Sequence, residues 1–383
     1  MSDLSEPAST GTGAESATAP ASPKPPAKVS KGKAIVGAIV TIAVLAIVFL
    51  GIFPQFASYK DAWTAIQEMP TPWIVALVIA CIVNILIYVW PFQVAIPGLR
   101  YGPAFSVRQT SYAISNGIPA VGGAIGLGVQ YTMLESYGIG SAGSAAGIAV
   151  NTVWNLILTL ALPIVSVVLL VFTGDATSKA ALLAVIGLAV IAIGGILLAL
   201  VLRSDDEARK IGDLGERIIN WLLKLVHHPM ELRLGDALVS FRGSTVGVIR
   251  SRWALLTLTN FLMQLTSFMV LFIALRGVQA GEPTHTTFAE AFAAFAFGRL
   301  ASFIPVTPGG LGTVDAAITG ILAAFGASSS DALAADLVWR ALTYIPQEII
   351  GLVTFLLWRA RQRRLASMRT QAPPNPGMSP GLR

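Results

Sequence analysis

The stretch SFIPVTPGGLGTVD, residues Ser302–Asp315, decides how this chain is read. It places two prolines (Pro305, Pro308) and three glycines (Gly309, Gly310, Gly312) in an otherwise apolar region, with Thr307 between the prolines. Proline removes a backbone donor, and each glycine costs a helix roughly 1 kcal/mol. The helix therefore breaks here, at membrane depth. Broken backbone in a bilayer survives only where protein or a water-lined cavity satisfies its polar groups. A second copy lies upstream: IPAVGGAIG, with Pro119, Gly123 and Gly126, matches IPVTPGGLG as I-P-x-x-x-G-x-[IL]-G. Two interrupted segments in corresponding halves point to a transporter binding site.

Composition sets the class around these motifs. The 383 residues are 54% hydrophobic and only 12% charged, against roughly 25% charged in soluble domains. Long uncharged runs make the chain a polytopic membrane protein, and its net charge of +6 reads as topology before it reads as nucleic-acid affinity. The single cysteine, Cys81, has no partner for an internal disulfide and reads as a small buried hydrophobe.

Outward from the motifs, the chain falls into a disordered cytoplasmic tail (1–33), a membrane domain (34–358) and a basic cytoplasmic tail (359–383). Spans are expected at 34–53, 72–91, 142–172, 180–202, 253–275 and 331–358, and two hairpins of half-helices around the broken motifs. Lysines before the first span and arginines after the last put both termini on the cytoplasmic side. Residues 203–252 form the one sizeable polar segment, with apolar positions near helical spacing from Ile211 to Leu225, and read as an amphipathic helix on the inner leaflet. Arg100 and Arg108 read as cytoplasmic charges after the second span. The fold class is thus all-α and polytopic, with about six transmembrane helices and two re-entrant broken-helix hairpins in an inverted repeat.

IPVTPGGLGTVDAAITGILAAFG followed by RALTYIPQEIIGL resembles the flippase-like family that includes the transmembrane region of lysylphosphatidylglycerol synthase, from roughly Pro72 to Leu357. The resemblance implies movement of lipids or lipid-linked sugars across a bacterial cytoplasmic membrane. This chain has Asp315 where the family usually has Glu. No soluble aminoacyltransferase domain follows the last span here, so the synthase activity is not carried over.

Charges inside apolar segments cost roughly 2.5–3.5 kcal/mol to insert, so each needs a reason. Glu290, Arg299, Asp315 and Arg340 stand out. On the last span Asp336, Arg340, Tyr344 and Glu348 recur every four residues and share a stripe, with Pro346 placed to kink the helix. The functional reading is an anionic-headgroup site. Arg299 and Arg340 supply positive charge, half-helix N-termini near Gly126 and Gly312 supply N–H groups, and Asp315, Glu290 and Glu348 balance charge or take up protons. The blander reading makes Asp336–Arg340 an i,i+4 pair and Asp315 a helix-start residue.

No enzyme motif, cofactor loop or metal-ligand spacing is present: Gly123, Gly126 and Gly128 follow no strand, and the adjacent His227 and His228 do not share a helix face. The expected partner is a membrane phospholipid or polyprenyl-phosphate-linked sugar, with no nucleic acid and no cofactor. The alternative is a scaffold presenting lipid to a separate membrane transferase.

Overall fold

The computed structural model describes residues 59–118, 122–174, 193, 196, 200–201, 203–225, 234–282, 285–303 and 310–371. The described elements are all helical: α1 (Tyr59–Gln67), α2 (Thr71–Ile87), α3 (Trp90–Ala95), α4 (Tyr101–Gly117), α5 (Gly122–Ser136), α6 (Ser141–Thr173), α7 (Asp205–Leu225), α8 (Leu234–Val278), α9 (Phe288–Ala301), α10 (Thr313–Ala324) and α11 (Ser329–Gln371). Four segments are long and apolar enough to cross a bilayer: Thr71–Ala95, Ser141–Thr173, Ser251–Val278 and Ser329–Leu365. They overlap the expected spans at 72–91, 142–172, 253–275 and 331–358. The expected tail at 1–33 and spans at 34–53 and 180–202 lie almost wholly outside the described residues.

The outer faces of these helices are apolar. Val78, Ile79 and Ile82 on α2, and Ile349, Leu352 and Leu357 on α11, are each at least half exposed. An exposed apolar surface this continuous is lipid-facing. Inside, Phe268 of α8 packs against Phe292 and Phe295 of α9, and Trp339 of α11 meets Phe295 edge-on.

Helix directions follow from the side-chain pairs. On α8, Gly277 faces Met69 at the head of α2, Thr266 accepts from Asn84 at 3.1 Å, and Arg252 donates to the Val94 carbonyl of α3. Rising numbers meet falling ones, so α2–α3 and α8 are antiparallel. Trp154 and Thr159 of α6 bond Thr257 and Gln264 of α8, so α6 and α8 are parallel. Ile66 and Cys81 contact Leu333 and Leu342, so the α1–α2 segment runs parallel to α11. The first half thus runs α2 then α6, and the second runs α8 then α11, in opposite directions. The halves also exchange partners: α4 packs on α11 and α9 packs on α6.

Between the outer helices of each half lies a pair of short helices. At 1.5 Å per residue, α9 and α10 rise roughly 21 and 18 Å and α4 and α5 roughly 25 and 22 Å, short of a hydrocarbon core of roughly 30 Å. Small residues bring each pair together. A Cβ on Gly298 of α9 would lie 2.3 Å from Ile318 of α10, and one on Gly126 of α5 would lie 2.2 Å from the Ser115 hydroxyl of α4.

Two expectations are corrected, those for residues 203–252 and for Cys81. Residues 203–252 hold more than one helix: the helix expected over Ile211–Leu225 is α7, and it packs against the first part of α8, where Gly235 lies against Arg209 and Asp213. From Leu234, α8 continues unbroken into the span for 45 residues. The helix of α11 runs through Pro346 without interruption. Pro346 has no N–H to give the Leu342 carbonyl four residues back. That carbonyl instead accepts from the Cys81 thiol at 3.2 Å, so Cys81 is more than a buried hydrophobe. Arg108 lies within α4, on the half-helix expected before the upstream motif, its guanidinium 4.6 Å from the Tyr88 ring centre and 5.9 Å from that of Phe92.

Candidate functional site

Both short-helix pairs rest on the same helix, α11. At its upstream end, Arg340 donates from Nε to the Asp315 carboxylate of α10 and from Nη2 to the Gly310 carbonyl at 3.3 Å. Gly310 and Gly312 hold φ of 68° and 87°, backbone that a side chain would strain. Gly312 caps α10, and its N–H donates to Asp315, the third helical residue. Asp315 thus satisfies a helix-start donor and an arginine at once, both inside the protein.

Eight residues further along α11, about 12 Å at helical rise, Glu348 lies against the end of α4. A Cβ on Gly117 would sit 3.6 Å from its Oε2. Between Arg340 and Glu348 runs an aromatic bridge. The Arg340 guanidinium lies 4.9 Å from the Tyr344 ring centre, Tyr344 meets Tyr112 of α4 edge-on at 5.8 Å, and Tyr112 meets Tyr88, just past the end of α2, at 5.5 Å. Arg108 closes the row over Tyr88. Cations over ring faces gain about 0.5–2 kcal/mol each, more as water is excluded.

Arg299, near the end of α9, faces the same bridge. It lies within electrostatic reach of Tyr344, Arg340, Tyr112 and Tyr88. Its Nε is buried and meets no hydrogen-bond partner among the described residues. The neighbouring α4–α11 seam holds further buried polar atoms of the same kind: Arg108 Nε, both amide atoms of Gln109, Gln347 Oε1 and Glu348 Oε1.

The structure therefore gathers Arg299, Gly310, Gly312, Asp315, Arg340, Tyr344 and Glu348 along one face of α11. It separates others. Glu290 closes a capping box with Thr287, accepting from its backbone N–H at 2.8 Å, so its carboxylate is committed to the start of α9. Gly126 is not at a helix start: α5 begins at Gly122, and Gly126 is packed on Ser111 and Ser115. Gly123 lies in the first turn, with open space beside it. Pro119, Pro305, Thr307, Pro308 and Gly309 lie outside the described residues. The positive charge expected of Arg340 is paired with Asp315 on another helix. Tyr88, Arg108 and Tyr112 were missed. The T-x-x-E signature of the capping box was legible at Thr287–Glu290.

The sequence model of the lysylphosphatidylglycerol synthase TM region matches residues 35–351, most of the chain. The chain belongs to this family. No curated protein matches it. Family membership and the four described spans make it a multi-pass membrane protein associated with lipid metabolism, and within that family frame the site is a row of arginines and tyrosines at the meeting point of two helix pairs.

Proposed function

We propose that this family member moves a lipid or lipid-linked sugar across the bacterial cytoplasmic membrane. Its anionic headgroup passes between the two short-helix pairs while its acyl or prenyl tails stay in lipid. The pairs act as re-entrant hairpins, both termini face the cytoplasm, and no covalent chemistry is performed. One observation carries the reading: the Arg299 Nε, near the end of α9, is buried and meets no hydrogen-bond partner among the described residues. A buried N–H donor without a partner is costly unless a ligand completes it, and arginine binds phosphate bidentately. The opposed halves supply the geometry of alternating access, and the polar seam from Gln109 to Glu348 offers a path that is not hydrocarbon.

The test is flipping of a fluorescent anionic phospholipid in proteoliposomes, read by quenching from outside. Arg299→Ala is expected to slow flipping by about ten- to a hundredfold, since hydrogen bonds to charged groups carry about 1.5–3 kcal/mol. Equal rates remove Arg299 from the pathway. No flipping of any lipid in a broad panel, together with co-purification of a transferase that depends on this chain, favours a scaffold that presents lipid.

A further inference from the structure

The end of α11 carries charge that the reading above does not use. Its uncharged run after Glu348 stops at Trp358, and Arg359, Arg361, Arg363 and Arg364 follow, all of them exposed. No acid lies on α11 after Glu348. The helix continues to Gln371, so these arginines rise roughly 2 to 9 Å beyond Trp358. The headgroup layer on each side of a bilayer is roughly 5–8 Å deep, and charge acts over a screening length of about 8–10 Å. The four guanidinium groups therefore stand at the level of the lipid phosphates.

The upstream short-helix pair is fastened at this same end. Thr110 of α4 meets Thr354, and Gly117 lies against Glu348, so α4 runs antiparallel to α11. Hence α4 begins, and α5 ends, where α11 leaves the membrane. Arg100, exposed, precedes α4. The Trp358 indole N–H donates to the Ser136 hydroxyl at 2.8 Å, and that hydroxyl donates to the Met133 carbonyl. The Arg361 guanidinium lies 5.8 Å from the Tyr137 ring centre. Tyr137 and Trp358 pack against the same apolar cluster, which contains Met133 and Leu134. Glu135 is the one acid on α5, and it is exposed. The base of α5 is thus tied to α11 by a hydrogen bond and an exposed cation–π contact, each weak alone.

We propose that Arg359, Arg361, Arg363 and Arg364, with Tyr137 and Trp358 beside them, bind an anionic phospholipid of the leaflet at this end, and that the bound lipid clamps the base of α5 onto α11. Arginine binds phosphate bidentately. The surplus of positive charge selects an anionic headgroup over a zwitterionic one, and amphipathic Trp and Tyr rings belong at headgroup level. A lipid phosphate is confined to the layer in which these guanidinium groups stand, and a soluble anion is not. Arg364 sits one turn beyond Arg361, so a phosphate bridging the two holds Arg361 over Tyr137. The charge of the surrounding leaflet then sets how firmly the α4–α5 pair is held. None of this depends on the transport reading.

Two measurements on the full chain test the proposal in nanodiscs. Native mass spectrometry from discs of equal phosphatidylcholine and phosphatidylglycerol reads which lipid stays bound. Phosphatidylglycerol is expected to be enriched about tenfold or more, and the Arg359→Gln/Arg363→Gln/Arg364→Gln variant to lose most of that enrichment. Equal retention of the two lipids, or enrichment unchanged in the variant, overturns the site. Arg359→Lys/Arg363→Lys/Arg364→Lys keeps the charge and is expected to keep the enrichment, which separates loss of the site from loss of the fold. Hydrogen exchange at residues 136–140 reads the clamp. It is expected to slow several-fold when phosphatidylglycerol is added to phosphatidylcholine discs; enrichment with no slowing overturns the clamp. Equal slowing by inorganic phosphate or a short RNA, in discs of phosphatidylcholine alone, overturns the assignment to lipid.

Discussion

Arg340 of α11 holds Asp315 of α10 in an ion pair whose side chains are 9% and 1% exposed. The pair joins the glycine-rich entry of α10 to the last membrane helix. The same carboxylate also receives the Gly312 N–H, so a single acid fixes both the start of a helix and the place of an arginine.

Breaking that pair from one side leaves a buried charge. Arg340→Ala is expected to lower stability by about 3–5 kcal/mol, and Asp315→Leu by a similar amount. The Arg340→Met/Asp315→Leu double variant should lose clearly less than the sum. Thermal unfolding in detergent, followed by tryptophan fluorescence, reads all three, and a double variant that loses the full sum shows the pair to be uncoupled.

Glycines that look alike in the sequence differ in what surrounds them. A Cβ on Gly351 would lie 2.3 Å from the Gln109 carbonyl oxygen and 2.5 Å from Ala113. Gly351→Ala must part α4 from α11 and should destabilise by about 1–3 kcal/mol. Gly123 has open space beside it, and Gly123→Ala should stabilise its helix by up to about 1 kcal/mol. The same unfolding assay gives both signs.

Cys81 and Pro346 form a pair through the Leu342 carbonyl. Cys81→Ala removes its donor and should cost about 1 kcal/mol. Pro346→Ala restores a backbone N–H at that position, which takes over the carbonyl, and in this background Cys81→Ala should become nearly neutral. A double-mutant cycle with equal costs in both backgrounds refutes the exchange.

Alternating access requires some interfaces to move and others to stay. Thr110 of α4 and Thr354 of α11 bring their hydroxyls to 3.0 Å. Asn84 of α2 and Thr266 of α8 also bond, at 3.1 Å. Cysteine pairs at both places are expected to cross-link on oxidation. The 110–354 link should stop lipid flipping until reduced, and the 84–266 link should leave it running. Flipping that survives the first link assigns the motion to another interface.

Much of this was legible in the residues. Long uncharged runs located the four described spans, with every end but that of the last (358 expected, 365 found) within four residues, because bilayer thickness leaves little freedom in length. The Pro/Gly motifs announced short helices, since nothing else in the chain breaks a helix so strongly. The four-residue spacing of Arg340, Tyr344 and Glu348 correctly put them on one face. The partner of each charge was not legible. Asp336 is the local choice for Arg340, and Asp315 reaches it because the turn through Gly310 and Gly312 delivers that carboxylate from another helix. The partner of Arg108 was not legible because nothing in its neighbourhood reveals that Tyr88, twenty residues earlier, folds beneath it. The polar residues before the span at 253–275 hid the first part of α8 because polarity reports solvent, and helices do not stop where the membrane does.

One consequence follows from α11 carrying both short-helix pairs. A stiff rod gripped at Arg340 by one and flanked at Glu348 by the other turns as a single axle. Any twist that loosens its grip on the glycine loop of α10 also swings Glu348 past the tip of α4. Under the proposed transport reading, the two helix pairs therefore cannot be reset independently.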